Sequence, residues 1–420
     1  MSSYGAQPVV RVSRTDGSPK EDTLSSDRRI VIIGAGIAGL TTALELCAMG
    51  FSNITVLETH GPGFGSSSKS AGVVETQYLD RSGIHVRNFG LRYFENFAAK
   101  YGILLARSGY LRFGATADDL EVFQASVDIQ REFGITDPVV LSAKEIEQRW
   151  PRVIAADRAG GVFGPSDGHI DSYEYVLRAA AVLISKGVFI QNGIEVCAAS
   201  PNTDGSWTLE TDNGAYKADT VVNAAGPWAR NVAELFGAPI PQNNQLRPKI
   251  KIQHDETLEQ LLPFVMDYVP GSGVDGIYFR SETPNEMFVG IHTDESIQEE
   301  RDPEQVLGAA PQEFIDRVME LLPTRLRLPK GIHLGRSWTG LYAISPDNKP
   351  IVTLHPAAAN VVHVMGAGGS GIQLAPAMAR MGAELAATGE TTSFLDTDWS
   401  LSRFGGDKGP QGPLKDRIGA

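Results

Sequence analysis

The stretch Arg29-Ile30-Val31-Ile32-Ile33-Gly34-Ala35-Gly36-Ile37-Ala38-Gly39-Leu40 decides the fold. Arg29 to Ile33 is a short apolar run of the kind that makes a buried parallel strand. Ile37 to Met49 has helical composition, and Ile54 to Leu57 is a second β-branched run that ends beside Glu58. Strand, glycine turn, helix and strand make a βαβ unit. In that context the spacing G-x-G-x-x-G, with Glu58 19 residues past Gly39, is a dinucleotide fingerprint. Gly34 permits the tight turn, Gly36 lets the backbone approach a pyrophosphate, and Gly39 lets the helix pack on the strand. The helix N-terminus at Ile37 and Ala38 offers N–H groups and a partial positive charge to the phosphates. Glu58 is placed to accept from the adenosine ribose hydroxyls. The fingerprint serves FAD and NAD alike, so other segments must choose between them.

The same stretch has the outline of a twin-arginine signal or a membrane helix, since Arg28-Arg29 precede the apolar run Ile30 to Gly50. Three glycines weaken such a helix, Glu45 would be costly in lipid, and no small-residue cleavage site stands out. The chain has 420 residues, enough for two or three domains, and its 42% hydrophobic and 21% charged composition is that of a globular protein with a large core. A net charge of −13 argues against nucleic acid as the main partner. Cys47 and Cys197 are the only cysteines and form no C-x-x-C, and there is no H-x-x-x-H pair. No disulfide framework and no metal site are expected, and a cytoplasmic setting is.

Outward from the fingerprint, residues 1–27 are polar and aperiodic and read as a mobile extension. Ile84 to Tyr101 carries an aromatic stripe at helical spacing and reads as core. Ser142 with Glu145, and Asp171 with Glu174, have capping-box spacing; the second opens a helix running to about Lys186. Val188 to Val222 reads as strands with a hairpin turn at Asn213-Gly214, and Pro227 stands where a helix would start. Strand-like runs recur at 249–253, 276–280 and 286–290, Pro311 to Leu322 is helical, Val361 to Val364 is a last buried strand, and Gly371 to Ala387 is the last helix.

Several motifs, in a common order, resemble the D-amino-acid oxidase superfamily of flavoproteins, in the branch with sarcosine oxidase and glycine oxidase. They are IVIIGAGIAGL, GSSSKSAGVVETQY at 65–78, VVNAAGPWA at 221–229, RSWTGLYAISPDNKPIV at 336–352 and VVHVMGAGGSGIQLAPAMA at 361–379. The resemblance runs from about Arg29 to about Gly389. It implies FAD rather than NAD. It also implies a Rossmann-like FAD-binding α/β domain interleaved with an α+β substrate domain built on an antiparallel sheet. By the resemblance, Ser66, Ser67, Ser68, Lys69 and Ser70 pass beside the flavin. Ala225, Gly226 and Trp228 end a strand against the cofactor, and Val196 contacts the adenine region. The glycine turn Gly368, Gly369, Ser370, Gly371, with Ile372 and Gln373, sets a helix N-terminus at the flavin pyrimidine ring, where reduced flavin carries negative charge. The expected limits are 28–85, 150–235 and 331–395 for the FAD domain, 86–149 and 236–330 for the substrate domain, and 396–420 for a tail.

The chain also departs from the pattern. Gly340 stands where sarcosine-oxidase-like members attach flavin through Cys, and Lys69-Ser70-Ala71-Gly72 replaces the H-A-A-G of dimethylglycine-dehydrogenase-like members. Non-covalent FAD is therefore expected. Tyr342 replaces a carboxylate-binding Arg of glycine-oxidase-like members, and Glu75 and Gln373 replace an Arg and a Lys of sarcosine-oxidase-like ones. A glutamate repels a carboxylate. Either the substrate offers a cation or donor to Glu75, or Glu75 is paired with an arginine and points away. Arg81, Arg87 and Arg280 remain as groups for an acid.

The expected reaction is oxidation of a C–N bond in an amine or N-substituted amino acid, hydride passing to flavin N5 to give an imine, with oxygen or another acceptor reoxidising the flavin. The candidate catalytic residues are Tyr342, Glu75 and Arg280, with Tyr278 and His292 behind them. A 2-hydroxyacid or alcohol dehydrogenase of the same fold, or a non-catalytic flavin-binding subunit, are the alternatives.

Overall fold

The computed structural model describes residues 27–268, 275–292, 300–305 and 308–405. The expected extension before Asp27 and the tail beyond residue 405 lie outside them.

The fingerprint folds as a βαβ unit: strand Ile30–Ile33, helix Ile37–Ala48, strand Ile54–Glu58. Four consecutive buried apolar residues in the first strand reflect a sheet covered on both faces. That sheet has six strands in the order 351–354, 361–365, 220–223, 30–33, 54–58, 189–192. All neighbours run parallel except Ile351–Leu354, which is antiparallel to Val361–Met365. One face carries the helices Ile37–Ala48, Arg81–Tyr101, Ser172–Ser185 and Gly371–Thr388 in one apolar core. The other face is covered by a three-stranded meander, Val196–Pro201, Trp207–Thr211 and Gly214–Ala218, with Leu209, Trp207 and Ala218 against Val31, Ile33 and Val221. Glu45, costly in either lipid or protein core, is buried and ion-paired with Arg380 at 2.8 Å.

The second large unit is an eight-stranded sheet, in the order 332–344, 243–254, 286–292, 276–283, 264–266, 110–114, 160–164, 139–142. Helix Gln312–Arg325 covers one of its faces through Phe314, Ile315, Val318 and Leu322, packed on Ile250, Ile252, Ile277 and Phe279. The other face turns to the parallel-sheet unit.

Sheet membership differs from the expected limits in three places. Ile332–Ile344 and Gly160–Gly164, expected with the FAD domain, are strands of the eight-stranded sheet. Arg81–Tyr101, most of it expected in the substrate domain, packs on the last helix in the parallel-sheet core, with Phe94 and Phe97 against Tyr175. The reason is pairing: Ile332–Ile344 is held by an antiparallel ladder to Asn243–His254, far away in sequence. The capping box at Ser142 forms both of its bonds with Glu145. At Asp171 the side chain accepts from Tyr173 N and Glu174 N, and that N-cap holds the helix start.

Candidate active site between the two sheets

At the first glycine turn Gly34 has φ +105°, and a methyl group added there would stand 2.6 Å from the Ala224 carbonyl oxygen. One added at Gly39 would stand 2.0 Å from the Gly34 carbonyl oxygen. Only glycine fits either position without moving backbone. Glu58, at the end of the second strand, is oriented by two N–H donors, Ala35 N to Oε2 and His60 N to Oε1, each at 2.9 Å. Val196 packs, half-buried, among Leu57, Ile194 and Trp207 at the same end of the sheet.

The serine loop is woven into both units. Ser67 Oγ accepts from Ile37 N at 3.0 Å, bringing the loop onto the helix N-terminus. Ser66 Oγ donates to the Leu341 carbonyl at 2.6 Å, and Ser70 pairs with Ser172 at 2.7 Å. Ser68 is exposed. Lys69 Nζ donates back to the Phe64 carbonyl at 2.9 Å, and burial lowers its pKa.

Glycines face this loop and its neighbours wherever a side chain would fill the space. A methyl group at Gly36 would meet Ser67 Oγ at 3.3 Å, one at Gly65 the Trp228 ring at 3.2 Å, and one at Gly340 Lys69 Cβ at 3.3 Å. Beside them Gly34 abuts Ala224 and Ala225, and Gly226 takes a left-handed φ of +55°. At the second turn, a methyl group at Gly369 would meet the Tyr342 ring at 2.7 Å. Gly368 and Ser370 form a short helical turn leading into helix Gly371–Thr388, whose first residues include Ile372 and Gln373. Two glycine turns at helix N-termini, a carboxylate at the end of the second strand, and a small-residue channel between them fit a long dinucleotide carrying a flat ring at one end.

The wall facing this channel is one side of the eight-stranded sheet. Strand Asn243–His254 alternates Arg247, Lys249 and Lys251 on this side with Ile250 and Ile252 on the core side. Directly opposite, Gly340 pairs with Arg247, Trp338 with Lys249 and Tyr342 with Gln245. The next strands add Phe288, Tyr278 and Arg280. Tyr110, Phe264, Tyr278 and Phe288 cluster here against Ala71 and Val73 of the loop. Trp338 Nε1 donates to the Lys69 carbonyl at 3.0 Å, fastening sheet to loop.

The charged candidates fall into different surroundings. Glu75 is buried and ion-paired with Arg87, Nε to Oε1 at 3.4 Å. Its carboxylate also accepts from Gln373 Nε2 at 3.2 Å, while its own N–H donates to Gln373 Oε1 at 3.0 Å. Arg87 stacks 3.6 Å from the Tyr78 ring and donates to Ser370 Oγ. Of the two arrangements open to Glu75, the structure therefore holds the arginine-paired one. Arg280 bridges sheet and loop, donating to Glu282 at 2.6 Å and to the Ala71 carbonyl at 2.6 Å. Arg81 lies on the surface, paired with Glu132. Burial raises the pKa of Tyr342 and Tyr278, keeping both phenols protonated. His292 packs with its ring tilted against Tyr268, the centroids 4.1 Å apart.

Arg247 and Lys249 were not among the expected site residues. Arg247 lies 5.0 Å over the Tyr342 ring and Lys249 Nζ 5.3 Å from it. Their signal was there: a strand that alternates cations with isoleucines has one face that is not core.

This fold and this site define an FAD-dependent oxidoreductase. Residues 29–385 match the family DAO, FAD dependent oxidoreductase, and the chain belongs to it. Human mitochondrial dimethylglycine dehydrogenase is 24% identical over 356 residues, covering 80% of this chain and 40% of that protein. The chain thus spans about two fifths of the length of that curated relative. Monomeric sarcosine oxidase of Bacillus sp. (strain B-0618) is 23% identical, with 88% of this chain and 94% of that protein covered. Among solved structures, L-proline dehydrogenase from P. horikoshii superposes with TM-score 0.76 at 23% identity, over 87% of this chain and 95% of that one. The glycerophosphate oxidase of Mycoplasma pneumoniae superposes with TM-score 0.73 at 20% identity, over 86% and 94%. Among the described residues no helix is long and apolar enough to cross a membrane, and no His, Cys, Asp and Glu group could hold a metal.

Proposed function

We propose that the protein oxidises the C–N bond of a small N-substituted amino acid or amine to an imine. The observation that carries this reading is the sheet face of Tyr342, Tyr278, Arg247 and Lys249 set against the serine loop and the second glycine turn. Gly34, Gly36, Gly39 and Glu58 would hold the adenosine diphosphate half of FAD, and residues 66–70 with 368–373 its flavin half. When bound, FAD supplies the acceptor for a hydride from the carbon next to nitrogen. With Gly340 and Lys69 at the positions of covalent attachment in relatives, that FAD is held non-covalently.

Tyr342 and Tyr278, both protonated, donate hydrogen bonds to the substrate and wall it from water. Arg247, beside Tyr342, would take a substrate carboxylate, a role that a repelling Glu75 cannot fill. Glu75 acts instead as an anchor: paired with Arg87 and Gln373, it fixes the start of the last helix. Arg280 likewise holds the loop at Ala71 and is a positioning residue.

Relatives bearing the names dimethylglycine dehydrogenase and sarcosine oxidase support an N-methyl amino acid as the substrate class. The test is anaerobic. Flavin absorbance of the yellow protein is to fall on adding sarcosine, N,N-dimethylglycine or L-proline, and not on adding L-lactate or glycerol 3-phosphate. Bleaching by the alcohols alone would establish the hydroxyl-oxidising alternative, and the absence of bleaching by any of them a non-catalytic flavin subunit. Air and an artificial dye, offered separately to the reduced protein, distinguish oxygen from another acceptor. Acid precipitation is to leave the yellow colour in the supernatant. The two cysteines are unpaired, Cys47 half-buried and Cys197 exposed, and an intracellular compartment accords with that.

A further inference from the structure

Lys249 is among the largest fully buried side chains, with an exposure of 1%. A lysine so placed usually faces a carboxylate, because an uncompensated buried charge is costly. Lys249 has none. Its Nζ donates to the Arg247 carbonyl at 3.3 Å, a neutral acceptor at the long end of hydrogen bonding.

The nearest groups are cationic or neutral, and the nearby carboxylates Glu282 and Glu286 are taken by Lys251. On its own strand Arg247 and Lys251 flank it. From the strand opposite come Trp338, Gly340 and Tyr342, and from the serine loop Lys69. The strand on its other side brings Phe288, with Glu286 and His292 near its two ends. Burial first, and Arg247 second, lower the Lys249 pKa to about 7. Above neutral pH the amine therefore carries a lone pair, and at neutral pH a sizeable share of it does.

Lys249 Nζ is enclosed within the wall of the channel, 5.3 Å from the Tyr342 ring. A methyl group at Gly340 would stand 3.9 Å from its Nζ, on the side where Lys69 closes the gap. The amine thus sits behind Gly340 and beside Tyr342, at the wall assigned above to substrate.

We propose that Lys249 is a further catalytic residue, the base that takes the ammonium proton of the incoming amine. The inference rests on the C–N reading above. An alkylammonium titrates near ~10, so at neutral pH the substrate arrives charged and has no lone pair to expel hydride. The proton passes from substrate nitrogen to Lys249 Nζ: one N–H bond breaks, one forms, and the substrate nitrogen keeps the electron pair. That pair then forms the C=N bond as hydride leaves the adjacent carbon. The tyrosines do not serve, since their raised pKa values favour the protonated phenol. Near-neutral basicity is matched to the task.

The experiment compares the FAD-loaded wild type with Lys249→Met and Lys249→Arg. Anaerobic bleaching by sarcosine, N,N-dimethylglycine or L-proline is followed by stopped flow from pH 6 to 10. At pH 7 both variants are to bleach about 100-fold more slowly, the scale of one lost base. The Met variant is to recover toward the wild-type rate near pH 10, where substrate supplies its own neutral amine. A packing defect does not cure itself with pH. Without substrate, a wild-type difference spectrum of the bound flavin is to show a one-proton change near pH 7, absent from both variants. An unchanged rate in the variants, an equal loss at every pH, or a loss confined to reoxidation by oxygen overturns the proposal and leaves the C–N reading standing. If no amine bleaches the wild type while an alcohol does, both fall together.

Discussion

The two glycine turns do the same geometric job, yet they are held in different ways. The first is braced by its own neighbourhood. Gly39 rests on the Gly34 carbonyl, Gly34 on Ala224, and Gly34 N–H donates to the Leu57 carbonyl at 2.8 Å. The second has space around its backbone, although Gly366 and Gly368 take left-handed φ of +70° and +53°. Added methyl groups at Gly366 and Gly371 would make ordinary contacts, at 3.5 Å and 3.4 Å. It is fixed by side chains from far away: Arg87 to Ser370, Glu75 to and from Gln373, and Tyr342 against Gly369. The first turn is a backbone device, intolerant and general. The second is braced mainly by side chains from distant elements.

The largest effect is expected where backbone meets backbone. In Gly39→Ala the methyl group has nowhere to go unless helix and strand separate, an overpacking cost of about 3 kcal/mol or more. The purified variant is to contain almost no FAD and to melt well below the wild type. Full flavin content would show that the first turn is as adaptable as the second. Glu75→Gln comes next. Removing one charge of a pair only 3–4% exposed leaves Arg87 uncompensated, at a cost of about 3 kcal/mol. Urea unfolding reads this directly. An unchanged unfolding midpoint would mean that the second turn does not depend on its distant brace.

Gly369→Ala is the intermediate case. The obstacle is the end of the Tyr342 side chain, which can rotate, so the expected cost is only about 1 kcal/mol. The displaced phenol is to raise KM for the amine by about 10-fold, equivalent to one lost hydrogen bond, with flavin content kept. Loss of flavin with KM unchanged would assign Tyr342 to the cofactor rather than to the substrate.

The same contrast explains what the sequence made legible. The first turn was readable because most of what fixes it lies between Ile30 and Glu58, the exceptions being Ser67, Ala224 and Ala225. The capping box at Ser142 and the last helix were readable for the same reason. The limits of the two units were not, because Ile332–Ile344 belongs to whichever sheet its ladder partner belongs to, and that partner lies some eighty residues earlier. Glu75 was visible as a departure, but its pairing with Arg87 depended on how the helix Arg81–Tyr101 packs. Lys249 lay in a recognised strand-like run, and Arg247 two residues before it. That they face the cofactor side follows only from their register against Trp338 and Gly340.

The smallest effect is expected at Gly371. It opens the last helix with a helical φ of −56°, and its added methyl group would touch only the Ala367 side chain. Gly→Ala at a position whose backbone suits both residues stabilises by about 0.5 kcal/mol through the unfolded chain. Gly371→Ala is therefore to melt at or slightly above the wild-type temperature, with flavin content and turnover unchanged. This near-silent outcome tests the comparison more sharply than the large ones do, because it asks whether space left by the protein is also left by the cofactor. If the variant folds normally but purifies colourless, the flavin ring approaches the second turn as closely as the pyrophosphate approaches the first. Gly371 would then be kept for the ligand rather than for the chain.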